Sequence, residues 1–459
     1  MAIKLEQCRI HPSSYSDHEF CTPLTHFDIP FLQSDPTQRL IFFDFPCQKL
    51  HFIENILPCL KNSLSLTLTH FLPLAGNVIL PLNSGIPVIR HVSGDSVSLT
   101  IAQSDQDFNY LTGNHQRVAD EFYVCVPELP PSRRFPDSVI FPVIALQITL
   151  FPGQGICIGI TNHHAVSDGS STINFVKSWA CVNRFGGAFY QTDGKHFPVL
   201  DRNLVQDPGN LNSTAWEFIK KSRKFPFFEL PPATFPINRV RSTFILTKIQ
   251  VEKLKNYVSV NRRHDLRHIS SFTVISAYVW ICSVKAEAAS AEETNNGGDD
   301  EEPVHFSFPA DCRGRLNPPL PESYFGNCLV FVRVESKRGL LKKKDGFLIA
   351  VEIIAEEIRR IMYSDKGVLE SADWPLDFGK PGRKCVVSVA GSPRFDVYEA
   401  DFGWGKAKKQ EFVHLDRERS ISLCKSRDFE GGFEIGLSRK KAEMDVFEDV
   451  FYQGLLEIM

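Results

Sequence analysis

Between Gly155 and Asn162 (GICIGITN) apolar residues alternate with smaller ones, and then Ile173, Val176, Trp179 and Ala180 recur at three- and four-residue spacings. A period of two giving way to a period near 3.6 predicts a half-buried strand, a turn and a core-facing helix. Upstream, Leu50, Ile53, Leu57, Leu60, Leu64 and Leu68 predict a long amphipathic helix over Gln48–Thr69, with Pro58 near its middle. Pro73 and Gly76 stop any helix beyond it. Residues 1–47 read as short strands and turns, Val88–Ile101 as a hairpin and Val139–Leu150 as a strand.

The rhythm breaks at about 195–238, where HFPVLDRN, DPGNLNST and KFPFFELPPATFP predict a long surface crossover. It then restarts with a strand at Arg241–Ile249, a short helix at Val251–Val258 and a longer one at Ser270–Val284. The acidic run Ala286–Glu302 has nothing to bury and is expected to be a mobile excursion. Strands are expected at Val304–Pro309, Cys328–Val334, Cys385–Val389, Ile421–Leu423 and Phe433–Leu437, with helices over Gly346–Ile361 and from Lys441 onward. The pattern is that of a mixed α/β (α+β) chain with an N-terminal domain at 1–200, a crossover at 201–238 and a C-terminal domain at 239–459.

Length agrees, since 459 residues exceed one compact core. A net charge of −3 gives no bulk attraction to nucleic acid or anionic lipid. The longest greasy run, Phe141–Phe151, carries Gln147 and Thr149, so no membrane span is expected. Met1–Pro12 lacks the apolar core of a secretion signal, which points to the cytosol. The twelve cysteines include no Cys-x-x-Cys, and neither metal-ligand spacing nor a phosphate-binding glycine loop is present. Gly153-Gln-Gly155 fails as a dinucleotide loop because Ile158 replaces the third glycine and a strand follows.

The candidate chemistry sits at the turn between strand and helix, where His163, His164 and Asp168 fall. Reacting groups collect at such strand ends. On spacing alone two readings stand: a base with an acidic neighbour, or a buried histidine followed by a helix N-cap, since Gly169, Ser170 and Ser171 come next. A second His-x-x-x-Asp, His91 to Asp95, straddles a Ser-Gly-Asp turn and needs no chemistry.

HHAVSDG (His163–Gly169) and DFGWG (Asp401–Gly405) together resemble the signature pair of the plant BAHD acyl-CoA-dependent acyltransferases. LPLAGN (Leu72–Asn77), the Asp311–Arg315 segment, YFGNC (Tyr324–Cys328) and SVAGSPRF (Ser388–Phe395) are similar to further blocks of that family, so the likeness runs over nearly the whole chain. YFGNC with SVAGSPRF is most like the branch that acylates phenolic, flavonoid and anthocyanin glucosides. The resemblance implies a two-domain fold like chloramphenicol acetyltransferase, with a channel between the domains and His164 in its middle. It also implies acyl-CoA as co-substrate with no bound cofactor or metal, a small phenolic glycoside as acceptor, and a monomer without nucleic-acid or membrane partners.

A neutral imidazole within about 3 Å of the acceptor hydroxyl serves as general base, and His164 is the candidate. Asp168 is expected to hold the loop that aims it, and His163 to be a packing residue. Asp401, Gly403, Trp404 and Gly405 read as a tight structural turn around an indole. CoA phosphates call for cations and helix N-termini, making Arg262, Arg263, Arg267 and the Ser270–Ser271 helix start one candidate cluster and Arg313 with Arg315 another. A malonyl donor needs a cation for its free carboxylate and a hydroxycinnamoyl donor an apolar slot; branch resemblance favours malonyl. The rival readings are an acyl-CoA thioester hydrolase and a non-catalytic ligand-binding protein of the same fold.

Overall fold

The computed structural model of the chain describes residues 2–13, 19–186, 197–221, 238–261, 269–293, 299–371, 386–417 and 420–458. Two large mixed sheets organise it. The first runs Ala2–Ile10, Val97–Ser104, Ile144–Phe151, Gly155–Asn162, Thr37–Asp44 and Lys409–Phe412 in spatial order. The second runs Leu329–Lys337, Pro303–Asp311, Val386–Ala390, Ile421–Lys425, Phe433–Lys440, Arg239–Leu246 and Arg117–Val118. Each sheet therefore takes its last strand from the other half of the chain. A smaller five-stranded sheet holds Phe20–Pro23, Val88–His91, Asn77–Pro81, Ser138–Pro142 and Arg133–Arg134.

Each large sheet has its own apolar core. Helices Leu57–Leu68 and Gly169–Phe185 pack on the first, and Ser271–Glu293, Gly346–Met362 and Lys441–Ile458 on the second. Where the halves meet, Arg117 Nη1 lies 2.6 Å from Glu411 Oε1, and Arg241 lies 3.2 Å from Glu411 Oε2 and 2.6 Å from Asp416 Oδ1. All four are buried, so the charges are matched inside low-dielectric protein rather than by water.

Several sequence expectations need correction. Val88–His91 and Val97–Ser104 do not pair; the second strand crosses to the first large sheet. Val139–Leu150 is two strands in different sheets, broken after Pro142, whose missing N–H suits a strand end. The helix expected over Gln48–Thr69 contains one widened turn, Phe52–Ile56, just before Pro58, which has no N–H to give. The expected excursion Ala286–Glu302 starts as helix, because Ser271–Glu293 runs on into its alanines and glutamates, both strong helix formers, while residues 294–298 lie outside the described residues. Within the crossover, Leu211–Lys220 is a helix that buries Ala215, Trp216 and Ile219 against the first core. Ser271–Ala289 is also long and apolar enough to cross a membrane by length and composition. Of its most apolar window, 78% is buried inside the second core, which accounts for that composition.

Candidate active site

The strand leading into the site is buried along all eight residues, Gly155 to Asn162, rather than on one face. Ile156, Ile158 and Ile160 face the first core, and the other face lies under the Ala119–Cys125 segment. That cover explains the small residues: a Cβ on Gly159 would sit 2.1 Å from the Cys125 carbonyl oxygen. The strand is central, pairing antiparallel with Ile144–Phe151 on one side and Thr37–Asp44 on the other.

At its end the Asn162 side chain accepts from Thr37 Oγ1 at 2.5 Å. His163 is fixed by its backbone N–H to Val143 O at 2.8 Å, and its Nδ1 accepts from Ala165 N at 3.3 Å. Its ring is 2% exposed, and burial draws its pKa down to about 4, so it is a neutral packing group. His164 is turned the other way and is half-buried. Its imidazole stacks flat on Phe31, with centroids 4.0 Å apart and planes 6° from parallel. Asn327 Nδ2 donates to its backbone carbonyl at 2.9 Å. Burial lowers the His164 pKa below the ordinary imidazole value; the ring's own backbone and Asp168 oppose the shift, and the Arg39 charge adds to it. The ring is therefore neutral at physiological pH, the form that accepts a proton.

Asp168 does not face that ring as a partner in proton transfer. Its Oδ1 caps the Gly169–Phe185 helix, accepting from Ser171 N at 2.9 Å. Its Oδ2 lies 2.7 Å from Arg313 Nη2 and accepts from Cys328 N at 3.3 Å. Arg313 also reaches Gly326 O at 3.0 Å and Tyr324 O at 3.2 Å. Burial alone would lower its pKa, but Asp168 and Asp311 hold it above the ordinary arginine value. Arg313 is thus a buried clamp between the His163–Asp168 turn and the YFGNC segment, and its guanidinium faces the protein interior rather than the surface where CoA phosphates were expected to meet it. Arg315 is committed as well, donating to Met362 O at 2.8 Å and lying 3.9 Å over the Tyr363 ring. Ser271 opens its helix half-buried, while the neighbouring Ser270 hydroxyl caps Thr273 N at 3.1 Å. Arg262, Arg263 and Arg267 lie outside the described residues.

DFGWG sits at the far end of the same helix. Asp401 Oδ1 accepts from Gly403 N at 2.8 Å and Gly405 N at 2.9 Å, and its Oδ2 pairs with Arg184. Gly403 and Gly405 have φ of 98° and 90°, a region that favours glycine. Trp404 stacks between Phe45 and Phe402, with centroids 5.2 Å and 5.4 Å away. The turn ties the helix behind His164 to the strand end at Asp44 and Phe45.

Three further residues of the site, Asp28, Asn327 and Arg202, are not singled out by the sequence reading, although Asn327 lies within the YFGNC block. Asp28 is fully buried and gathers Thr25 Oγ1 at 2.7 Å, Asn327 N at 3.1 Å, Asn327 Nδ2 at 3.0 Å and Arg202. It thereby joins the turn carrying Phe31 to the segment holding the His164 carbonyl. Asn327, inside YFGNC, is 163 residues from His164 along the chain, and Arg202 reaches Val166 O at 3.1 Å. Among the described residues, no group of three or more His, Cys, Asp or Glu side chains could hold a metal ion.

A model of the Transferase family matches residues 3–453. The chain belongs to the BAHD acyltransferase family. It is an acyl-CoA:alcohol O-acyltransferase that uses acyl-CoA as co-substrate. It is 43% identical over 424 residues to phenolic glucoside malonyltransferase 1 of Nicotiana tabacum, covering 92% of each. It is 42% identical over 461 residues to malonyl-coenzyme:anthocyanin 5-O-glucoside-6'''-O-malonyltransferase of Salvia splendens, covering 98% of this chain and 95% of that one. Its fold matches the crystal structure of vinorine synthase with a TM-score of 0.68 at 19% identity, over 97% of this chain and 96% of that chain. This BAHD enzyme thus has the expected two-domain, chloramphenicol-acetyltransferase-like architecture.

Proposed function

We propose that this acyltransferase moves a malonyl group from malonyl-CoA to a sugar hydroxyl of a phenolic or flavonoid glucoside, with His164 as general base. The observation that carries the mechanism is the state of His164: neutral, half-buried, stacked on Phe31 from one half and held at its carbonyl by Asn327 from the other. In that state the imidazole removes the acceptor proton as the oxygen attacks the thioester carbonyl. The C–S bond then breaks and the same proton passes to the departing sulfur, giving ester and free CoA thiol. No acyl-enzyme is required. The malonyl donor and glucoside acceptor are supported by the printed activities of relatives more than 40% identical.

Asp168, Arg313, Asp401 and Trp404 are assigned positioning roles, since their polar atoms and rings are engaged by the protein itself. The test is CoA release from malonyl-CoA and coumaroyl-CoA, with and without a phenolic glucoside. Malonyl transfer that needs the glucoside supports the reading; equal release without it makes the protein a hydrolase. His164→Ala should lower transfer by about 10²–10⁴-fold with an unchanged melting temperature. Wild-type turnover in that variant would exclude His164 as the base.

A further inference from the structure

Among the described residues, four buried arginines named above meet carboxylates: Arg117 meets Glu411, Arg202 meets Asp28, Arg241 meets Asp416 and Arg313 meets Asp168. Arg39, buried too, meets none among them. It is 5% exposed, and its buried Nε and Nη1 have no hydrogen-bond partner among the described residues. Burial draws its pKa down to about 10, which still leaves it charged at neutral pH. A buried cation without an ion-pair partner is costly, because neither water nor a fixed carboxylate compensates its charge. Such a group is retained in a site when the missing anion arrives with a ligand.

Its position says which ligand. Arg39 lies on Thr37–Asp44, opposite Ile160 on one side and Phe412 on the other. Ile41 and Phe43, two and four residues on and so on the same face, belong to the core beneath the Gly169–Phe185 helix. Its Nη2 would be 3.1 Å from a Cβ on Gly169, the first residue after Asp168, so the guanidinium packs close against the turn that carries His164. Phe412 lies beneath it at 4.9 Å. Phe395 would be 2.6 Å from the same Gly169 Cβ, so its ring packs at the start of that helix beside the guanidinium. The Arg39 charge is felt at His164 and is close enough to Asp168 to be felt there too. The Asp168 charge favours the charged guanidinium from a distance, but its oxygens meet Ser171 N, Arg313 and Cys328 N and form no ion pair with Arg39.

We propose that Arg39 receives the free carboxylate at the far end of the donor's acyl group and so selects malonyl-CoA over neutral acyl donors. This rests on the malonyl reading of the preceding subsection. The carboxyl carbon of a malonyl group is two bonds beyond the thioester carbon, roughly 2.5 Å. A donor whose carbonyl is attacked beside His164 therefore carries its negative charge toward the neighbouring guanidinium. A planar fork of N–H donors matches a carboxylate in both shape and charge. Acetyl leaves the cation unpaired, and a hydroxycinnamoyl ring brings no charge to it.

The experiment compares full-length wild type, Arg39→Met and Arg39→Lys with malonyl-CoA and acetyl-CoA on one phenolic glucoside. In Arg39→Met the malonyl-over-acetyl ratio of kcat/KM should fall about 100-fold, with Arg39→Lys between the two. An unchanged ratio, whether both donors lose equally or neither loses, overturns the assignment. A measurement on the wild type alone keeps it exposed should Arg39→Met not fold. Malonyl-CoA should raise the melting temperature more than acetyl-CoA at equal concentration, and equal rises also overturn it. A wild type that transfers coumaroyl but not malonyl groups refutes the donor reading itself. One that uses malonyl-CoA while Arg39→Met keeps its selectivity refutes only the role of Arg39.

Discussion

Replacing Asp168 with Asn separates a positioning role from a chemical one. Asn is nearly the same size and can still accept from Ser171 N, so the helix cap survives. What disappears is the negative charge 2.7 Å from Arg313 Nη2. These side chains are 1% and 4% exposed, so water cannot replace the lost partner. Removing one member of a buried ion pair costs about 3–5 kcal/mol. Asp311 remains 3.1 Å from Arg313 Nη1 but is 42% exposed, so it offsets only a part, and a loss near 3 kcal/mol is expected. For a domain of this size that corresponds to a fall in melting temperature of about 6–12 °C. Thermal unfolding of Asp168→Asn, Arg313→Met and the double variant forms the assay, with turnover measured well below each transition. The double variant should be less destabilised than the two single effects added together, because no charge is left stranded. An Asp168→Asn protein that melts like wild type yet has lost its turnover would refute the positioning argument and place Asp168 in the proton transfer.

Two further outcomes follow from the buried histidines and from DFGWG. His163 and His414 have pKa values drawn down from 6.5 to about 4 and about 3, with burial the largest cause in each. The unfolded chain thus binds more protons below pH 6.5, and the stability these rings contribute is full above that pH and lost as pH falls toward 4 and then 3. Melting temperatures taken from pH 7.5 down to 4.5 should decline, and His163→Gln should flatten the slope; a flat wild-type curve contradicts the argument. Asp401→Ala removes two backbone N–H contacts and a half-exposed ion pair, for about 1–2 kcal/mol, mostly from the hydrogen bonds. Its melting temperature should fall while turnover well below the transition stays close to wild type, and a large kinetic defect at normal stability would show that the turn acts on the chemistry.

Much of the local structure was legible because its cause is local. The strand–turn–helix unit around His164 follows from period and capping within thirty residues, and the Asp168 cap is visible in the residues that follow it. The rest of the site depends on long-range contact. Asp28 and Asn327 are 299 residues apart, and neither sits in a pattern that announces the other. Arg313 was misread for the same reason: a sequence shows a charge but not that a carboxylate 145 residues earlier meets it in the interior. Arg39 follows Thr37 and Gln38 at the polar start of TQRLIFFD, so nothing in the sequence marks it as buried or near the site. The Val88–Ile101 error has a topological cause, since turn chemistry at Gly94 and Asp95 does not say which sheet the next strand joins.

The reciprocal exchange of edge strands limits how this enzyme can move. Lys409–Phe412 completes the first sheet and Arg117–Val118 the second, and the Glu411 and Arg117 side chains lock the two loans together. Prising the lobes apart like a clamshell would tear backbone ladders and strand buried charges at once. Admission and release of substrates therefore fall to side chains and surface loops, and either lobe cut free would begin life with a missing edge and an unmatched ion.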